Sequence, residues 1–155
     1  ICILLSLVYM CGIVSCVGDK EASQVLLNGW RRLEYRGYDS AGLSLIGRDA
    51  LLSVKRPGKV AALNQAVREE LSPEKNELCR IGGAHTRWAT HGAPTQVNAH
   101  PHLDESGRIA LVHNGIIENY RYIRSHLEGK DHTFHSETDS EVLAHLIGDF
   151  LKGTC

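Results

Sequence analysis

Apolar and polar positions along the chain change period several times, which predicts a mixture of strands and helices. Short apolar runs without a helical period predict strands, many of them rich in β-branched residues, at residues 11–17, 42–46, 51–55, 80–86 and 109–113. Apolar residues spaced three or four apart predict helices at residues 20–35, 60–71 and 119–127, with a last helix from about Thr138.

The order of these elements bears on the fold class. Strands and helices do not alternate regularly, and no glycine-rich nucleotide-binding fingerprint follows a strand, so an α+β layered arrangement is favoured over a doubly wound sheet. The spacing of Thr138 and Glu141 predicts a capping box at the start of the last helix. Residues 87–103 are polar, rich in His and Pro and without a clear period, and a loop of that length inside a domain is usually functional.

Size, charge and hydropathy exclude some functions. The chain has 155 residues and a formal net charge of −1, which fits one domain without the basic surplus of a nucleic-acid-binding protein. Residues 1–10 are apolar, but they are shorter than the roughly 20 residues that span a bilayer and lack a signal-peptide cleavage site, so we expect no membrane partner. We interpret Met10 as the translation start, with residues 11–155 as the mature domain.

The five cysteines include no C-x-x-C pair, and their odd number argues against a closed disulfide framework. We therefore expect a cytoplasmic protein with Cys16 and Cys79 buried. Cys11 is open to two interpretations. It is either another buried cysteine, or, after removal of Met10, a nucleophile whose own α-amine, with an ordinary pKa of roughly 7.7–8, acts as the base.

Five further residues have both a functional and a structural interpretation. Arg87 has a planar group suited to a carboxylate and Trp88 could cover a ligand, but in isolation these two positions favour a surface arginine beside a core tryptophan. Asn114 and Gly115 form either a hairpin turn or the two donors of an oxyanion hole, and the helical pattern that follows them weakens the hairpin interpretation. Asp139 either complements a helix dipole or receives a substrate ammonium group.

The nine histidines raise the possibility of a metal site, with His85, His91, His100 and His102 as the candidate ligands. No H-E-x-x-H motif and no Cys/His cluster at zinc spacing is present. We therefore expect neither a metal nor another cofactor.

Several long motifs in the same order resemble the class II glutamine amidotransferases, whose glutaminase domain is an N-terminal-nucleophile hydrolase. The resemblance covers residues 11–14, 31–42, 58–60, 85–92, 98–102, 112–119 and 136–139. The sequences Arg-Leu-Glu-Tyr-Arg-Gly-Tyr-Asp-Ser and His-Thr-Arg-Trp-Ala-Thr-His-Gly are similar to the hexosamine-forming branch. The purine-pathway amidophosphoribosyltransferases are the alternative branch.

The resemblance implies a four-layer α-β-β-α sandwich of two mainly antiparallel sheets and hydrolysis of L-glutamine to glutamate and ammonia. Cys11 would be the nucleophile, and Asn114 and Gly115 would hold the oxyanion. The residues that would bind or enclose glutamine are Arg87, Trp88, Thr90, His91 and Asp139, with Arg36 ordering the site.

The full-length parent would be a homo-oligomer whose sugar isomerase domains pass ammonia to fructose 6-phosphate, and those domains lie outside the 155 residues. Ser15 departs from the resemblance, because the family usually has Gly there. A catalytically silent fragment is the second alternative, since Cys11 is not N-terminal in the sequence as written.

Overall fold

The computed structural model of the chain describes residues 2–5, 11–33, 35, 39–72, 79–88 and 92–153. In chain order the strands are β1 (Cys2–Leu5), β2 (Gly12–Val17), β3 (Ser40–Ile46), β4 (Leu51–Pro57), β5 (Ile81–Arg87), β6 (His102–Leu103) and β7 (Ala110–Leu111). The helices are α1 (Ala22–Arg31), α2 (Val60–Glu70), α3 (Tyr120–Glu128) and α4 (Glu141–Lys152). Each predicted strand and helix is present, although α1 is shorter than predicted at both ends and β7 has only two residues.

The first five strands form one antiparallel sheet in the order β1-β2-β5-β3-β4, and β6 pairs with β7 in a second, two-stranded sheet. Because side chains alternate between the two faces of a strand, the register decides which residues share a face. One face of the large sheet has an apolar row across four strands. The row consists of Val14, Ala84, Leu43 and Val54.

Helices α1 and α2 cover this apolar face and form the core with it. Leu26 and Trp30 of α1 and Leu63 of α2 are fully buried there. Gly29 permits the close approach of α1 to the sheet, since a Cβ atom at this position would lie 2.8 Å from Cγ1 of Val14.

The opposite face of the large sheet is more polar and supports the segment that leads into β6. On this face His85, Gly42 and Lys55 lie side by side in register. The His100 carbonyl oxygen lies directly over Gly42, where any Cβ atom would overlap with it. The Lys55 ammonium donates a hydrogen bond to the Val97 carbonyl at 3.3 Å.

Helix α4 packs against β6, β7 and α3 and completes the fold. The order of layers is therefore α1 and α2, the large sheet, the small sheet with its flanking loops, and α3 with α4. This confirms the predicted four-layer α-β-β-α sandwich of two mainly antiparallel sheets. None of the helices in the described part of the chain is long and apolar enough to span a membrane.

The predicted capping box at the start of the last helix is wrong. Ser140, rather than Thr138, is the N-cap residue of α4, and its side chain makes no capping hydrogen bond. The Thr138 hydroxyl instead pairs with Nε2 of His102 at 2.8 Å. Glu141 is the first residue of the helix, and its carboxylate accepts hydrogen bonds from the backbone N–H groups of His135 and Ser136. The sequence spacing identified the acidic residue correctly but assigned it the wrong partner.

Strand β1 lies within residues 1–10. It pairs with the outer edge of β2, with Leu5 opposite Ile13 and Cys2 opposite Cys16. Without this segment, β2 would become the edge strand of the sheet.

Candidate active site

Cys11 lies immediately before β2, at the end of the sheet where β5 also ends. Its sulfur accepts a hydrogen bond from the Trp88 backbone N–H at 3.2 Å and lies 3.7 Å from the Trp88 carbonyl oxygen. Burial raises the pKa of the Cys11 thiol, although the hydrogen bond from Trp88 and the nearby Arg87 charge oppose that rise. The thiol is therefore mainly protonated at neutral pH, and an acceptor for its proton is needed before it attacks.

Asn114 connects Cys11 to the chain that follows β7. The Asn114 side-chain amide donates to the Cys11 carbonyl oxygen at 3.3 Å, and its own oxygen lies 2.7 Å from Nε2 of His85. After Asn114 the chain leads into α3 and not into a return strand, so the hairpin interpretation is wrong.

Gly115, the next residue, has a positive φ of 155°. A Cβ atom there would lie 2.8 Å from Nε2 of His113, so any larger residue would collide with the histidine ring. Asn114 and Gly115 thus bring a side-chain amide and a backbone N–H to the Cys11 side of the cleft, the two donor types of an oxyanion hole.

The structure contradicts the expectation of a surface arginine at position 87 beside a core tryptophan at position 88. Only 5% of Arg87 is exposed, whereas 43% of Trp88 is exposed. Two guanidinium nitrogens of Arg87 each donate to a backbone carbonyl, of Ala93 and of Gly92, at 3.2 Å. Burial lowers the pKa of Arg87 and nearby acidic groups oppose this, but an arginine remains charged in proteins. A fixed cation therefore lies beside the thiol.

Asp139 supplies a negative charge to the same cleft. It precedes α4, and its carboxylate accepts the Ile117 backbone N–H at 2.6 Å. The carboxylate therefore links the start of α4 to a distant loop. A cleft with a fixed cation and a fixed anion suits a zwitterionic amino acid.

Six of the nine predicted site residues meet in one open cleft of about 450 Å³, its mouth included: Cys11, Arg87, Trp88, Asn114, Gly115 and Asp139. The other three, Arg36, Thr90 and His91, lie outside the described residues. Cys16 and Cys79 are buried away from the cleft, as predicted. Among the residues that the structure describes, no group of His, Cys, Asp or Glu is arranged to hold a metal ion.

Ser15 lies on the same face of β2 as Ile13, two residues further along the strand. Its register partner in β5 is Gly83, and a Cβ atom on Gly83 would be 3.7 Å from the Ser15 hydroxyl. The absence of a side chain at Gly83 leaves room for the extra hydroxyl in the sheet.

Three histidines of the cleft were missed as site residues by sequence reasoning: His85, His100 and His113. The His85 and His100 rings stack with their centroids 4.3 Å apart, and Nδ1 of His100 accepts the His113 backbone N–H at 3.2 Å. Burial lowers the pKa of His85 to about 4 and that of His100 well below its usual value, so both rings are neutral near pH 7. The available signal was strand alternation, which places His85 on the same face of β5 as Arg87.

Comparison with known proteins identifies the family of the chain. Residues 74–152, about half of the chain, match the glutamine amidotransferase domain family. The chain belongs to this family.

Two curated relatives are both glutamine–fructose-6-phosphate aminotransferases of the isomerizing type. One, from Thermus thermophilus, is 57% identical over 144 residues, which is 93% of this chain and 23% of that protein. The other, from Streptomyces coelicolor, is 51% identical over 140 residues, which is 90% of this chain and 22% of that protein. The chain thus spans less than a quarter of the length of these relatives.

Two solved structures resemble the fold. The glutamine phosphoribosylpyrophosphate amidotransferase of B. subtilis, complexed with ADP and GMP, is 28% identical with a TM-score of 0.69. A structure described as the allosteric regulatory enzyme of purine biosynthesis is 31% identical with a TM-score of 0.72. Each alignment covers 88% of this chain and 29% of the other chain.

Proposed function

We propose that this chain hydrolyses L-glutamine to L-glutamate and ammonia, with Cys11 as nucleophile once Met10 and the residues before it are removed. The observation that carries the proposal is the meeting of a thiol, two oxyanion donor groups, a buried guanidinium and a carboxylate in one cleft. Those groups match the carboxamide, the α-carboxylate and the α-ammonium of glutamine.

The reaction begins with transfer of the Cys11 thiol proton to the α-amine of the same residue. The sulfur attacks the side-chain carbonyl carbon of glutamine, and the Asn114 amide and Gly115 N–H stabilise the oxyanion. The protonated α-amine then gives its proton to the leaving nitrogen, ammonia departs and a glutamyl thioester remains. Water hydrolyses the thioester and regenerates the thiol.

The raised pKa of the thiol supports the need for this base. His85 is the imidazole near Asn114, but its pKa of about 4 makes it a poor proton acceptor at neutral pH. A free α-amine with a pKa of roughly 7.7–8 suits that task. Cys11 also has a φ of 49°, a left-handed conformation that costs a residue with a side chain roughly 1–2 kcal/mol. Cleavage before Cys11 removes this constraint.

Arg87 would bind the α-carboxylate and Asp139 the α-ammonium of glutamine. The planar guanidinium of Arg87 presents its N–H donors in a fork that matches the geometry of a carboxylate. Trp88, Thr90 and His91 would enclose the substrate. Arg36 would help to order the nucleophile.

We further propose that this domain is the ammonia-supplying part of a glutamine–fructose-6-phosphate aminotransferase. The identity of 57% to the Thermus protein, against 28% to the B. subtilis phosphoribosylpyrophosphate amidotransferase, favours this branch. In such a parent, sugar isomerase domains outside this chain would pass the ammonia to fructose 6-phosphate. The parent would be a cytoplasmic homo-oligomer.

Intact-mass measurement and covalent labelling test the proposal together. Protein whose mass begins at Cys11 should release glutamate and ammonia from glutamine and form a 1:1 adduct with 6-diazo-5-oxo-norleucine. Cys11→Ala should abolish both, whereas the matched control Cys16→Ala, which alters a buried cysteine on the helix-covered face, should retain them. An adduct that forms undiminished in Cys11→Ala contradicts the mechanism. Purified protein that retains residues 1–10 and is inactive supports the silent-fragment alternative.

A further inference from the structure

His85 lies beneath the oxyanion side of the cleft and contacts Asn114 and not the nucleophile. We propose that His85 is a positioning residue, whose Nε2–H holds the Asn114 side chain with its NH₂ group towards Cys11. This inference rests on the proposed glutaminase function, because it assigns a task in oxyanion stabilisation. His85 itself touches no reacting atom in it.

The hydrogen bonds of Asn114 determine the orientation of its amide. The amide oxygen lies 2.7 Å from Nε2 of His85, and the amide nitrogen donates to the Cys11 carbonyl at 3.3 Å. An NH₂ group has two hydrogens, so one remains for the developing oxyanion. A rotated amide would place its oxygen against the Cys11 carbonyl oxygen and its NH₂ against the His85 donor. Both contacts would then be repulsive, and the oxyanion would meet an oxygen.

This orientation requires the proton of His85 to be on Nε2. His85 is 1% exposed, and within the described part of the chain its Nδ1 has no hydrogen-bond partner. A proton on Nδ1 would be a buried donor without an acceptor, which is costly, whereas a proton on Nε2 has the Asn114 oxygen. The neutral ring therefore adopts the Nε2–H tautomer, the form that selects the productive orientation of Asn114.

His100 holds the plane of the His85 ring and is itself held by His113. His100 stacks on the His85 ring with an interplanar angle of 24°, and the backbone N–H of His113 in turn holds Nδ1 of His100. Asn114 itself is exposed to the cleft and is not fixed by packing. His85 is thus the buried side of a contact whose other side faces the substrate.

A double-mutant cycle separates positioning from a merely structural role. His85→Phe keeps a planar ring but removes the donor, and we expect kcat for glutamine hydrolysis to fall about 10- to 100-fold with KM nearly unchanged. His85→Gln, which again offers an N–H donor, should restore most of the loss. In the Asn114→Ala background, His85→Phe should change kcat less than about twofold, because the group it positions is gone. The exposed His126→Phe is the matched control and should behave as wild type.

An equal fall of kcat in both backgrounds would overturn the inference. A second readout needs no activity, since long-range ¹H–¹⁵N NMR spectra distinguish the two neutral tautomers of a histidine ring. We expect the Nε2–H form of His85 from pH 5.5 to 8, and the Nδ1–H form would also overturn the inference. Failure of the unmutated protein to hydrolyse glutamine, with His85 in the Nε2–H form, would count against the proposed function alone.

Discussion

Glu141 is the buried carboxylate that holds the loop before α4, and its replacement by glutamine should destabilise the protein in a pH-dependent way. One carboxylate oxygen accepts the His135 N–H at 2.9 Å, and the other accepts the Ser136 N–H at 2.8 Å and the Ser136 hydroxyl at 2.7 Å. Nε2 of His145 is further away, at 3.9 Å. Only 4% of Glu141 is exposed.

The magnitude follows from the pKa of this carboxyl. Burial opposes its ionisation, but the contact with His145 and the hydrogen bonds from His135 and Ser136 together outweigh that cost and lower the pKa of Glu141 from 4.5 to about 2. At 1.36 kcal/mol for each pKa unit, ionised Glu141 contributes about 3 kcal/mol to the free energy of unfolding near neutral pH. Because the folded pKa is below the unfolded one, this contribution is complete above pH 4.5 and is lost as the pH falls towards 2.

The Glu141→Gln protein should therefore unfold at lower urea concentration at pH 7, with a free energy of unfolding lower by about 3 kcal/mol. The gap between variant and wild type should narrow by about 2 kcal/mol at pH 3, where part of the wild-type contribution is gone. Urea titrations followed by tryptophan fluorescence at both pH values measure this. The exposed Glu118→Gln is the control and should lie within about 0.5 kcal/mol of wild type at each pH.

A gap that is the same at pH 7 and pH 3 would refute the reasoning, because a loss of packing alone does not depend on protonation. A gap below about 1 kcal/mol at pH 7 would also refute it, since the contacts of the Glu141 carboxylate would then not outweigh the cost of its burial. The loop held by Glu141 carries Thr138 and Asp139 into the cleft. The same variant should therefore also raise KM for glutamine.

Three further predictions concern the cleft and its support. Gly42→Ala should lower the free energy of unfolding by about 1–3 kcal/mol and should also lower kcat, because a methyl group there overlaps with the His100 carbonyl. Unchanged urea unfolding and unchanged kinetics would contradict this. Asp139→Asn should raise KM for glutamine about 10- to 100-fold in steady-state assays through loss of the charge for the ammonium group, and an unchanged KM would remove Asp139 from that role. In protein that retains residues 1–10, the rate of Cys11 alkylation by iodoacetamide should rise with a pH midpoint above 9.0, because burial raises the pKa of the thiol. A midpoint below 9.0 would show that the pKa of the Cys11 thiol is not raised.

Strand and helix positions were largely predictable because each is set by a local period. The register of the large sheet was not, since antiparallel pairing of β2 with β5 joins residues some 70 positions apart, such as Gly12 with Thr86. Local patterns also misjudged exposure at Arg87 and Trp88. Burial of an arginine depends on carbonyl groups that only the folded loop at residues 92–93 brings to it.

The candidate nucleophile Cys11 could be predicted from the ordered motifs, but the residues that contact it could not. Cys11 contacts Trp88 and Asn114, which are 77 and 103 positions away. The capping-box error has the same origin. Thr138 has a suitable spacing to Glu141, but His102 competes for its hydroxyl, and the carboxylate finds two backbone N–H groups instead.

Each charged or polar group of the cleft is held by a contact to main chain or by a buried partner. Carbonyl groups hold Arg87, a backbone N–H holds Asp139, and His85 holds Asn114. Groups held in this way need little reorganisation when charge develops on a substrate, and such preorganisation is usually the largest single contribution to catalysis. The loss of a supporting contact should therefore affect the same kinetic parameter as the loss of the group that it supports. That expectation distinguishes a preorganised site from one that substrate binding assembles.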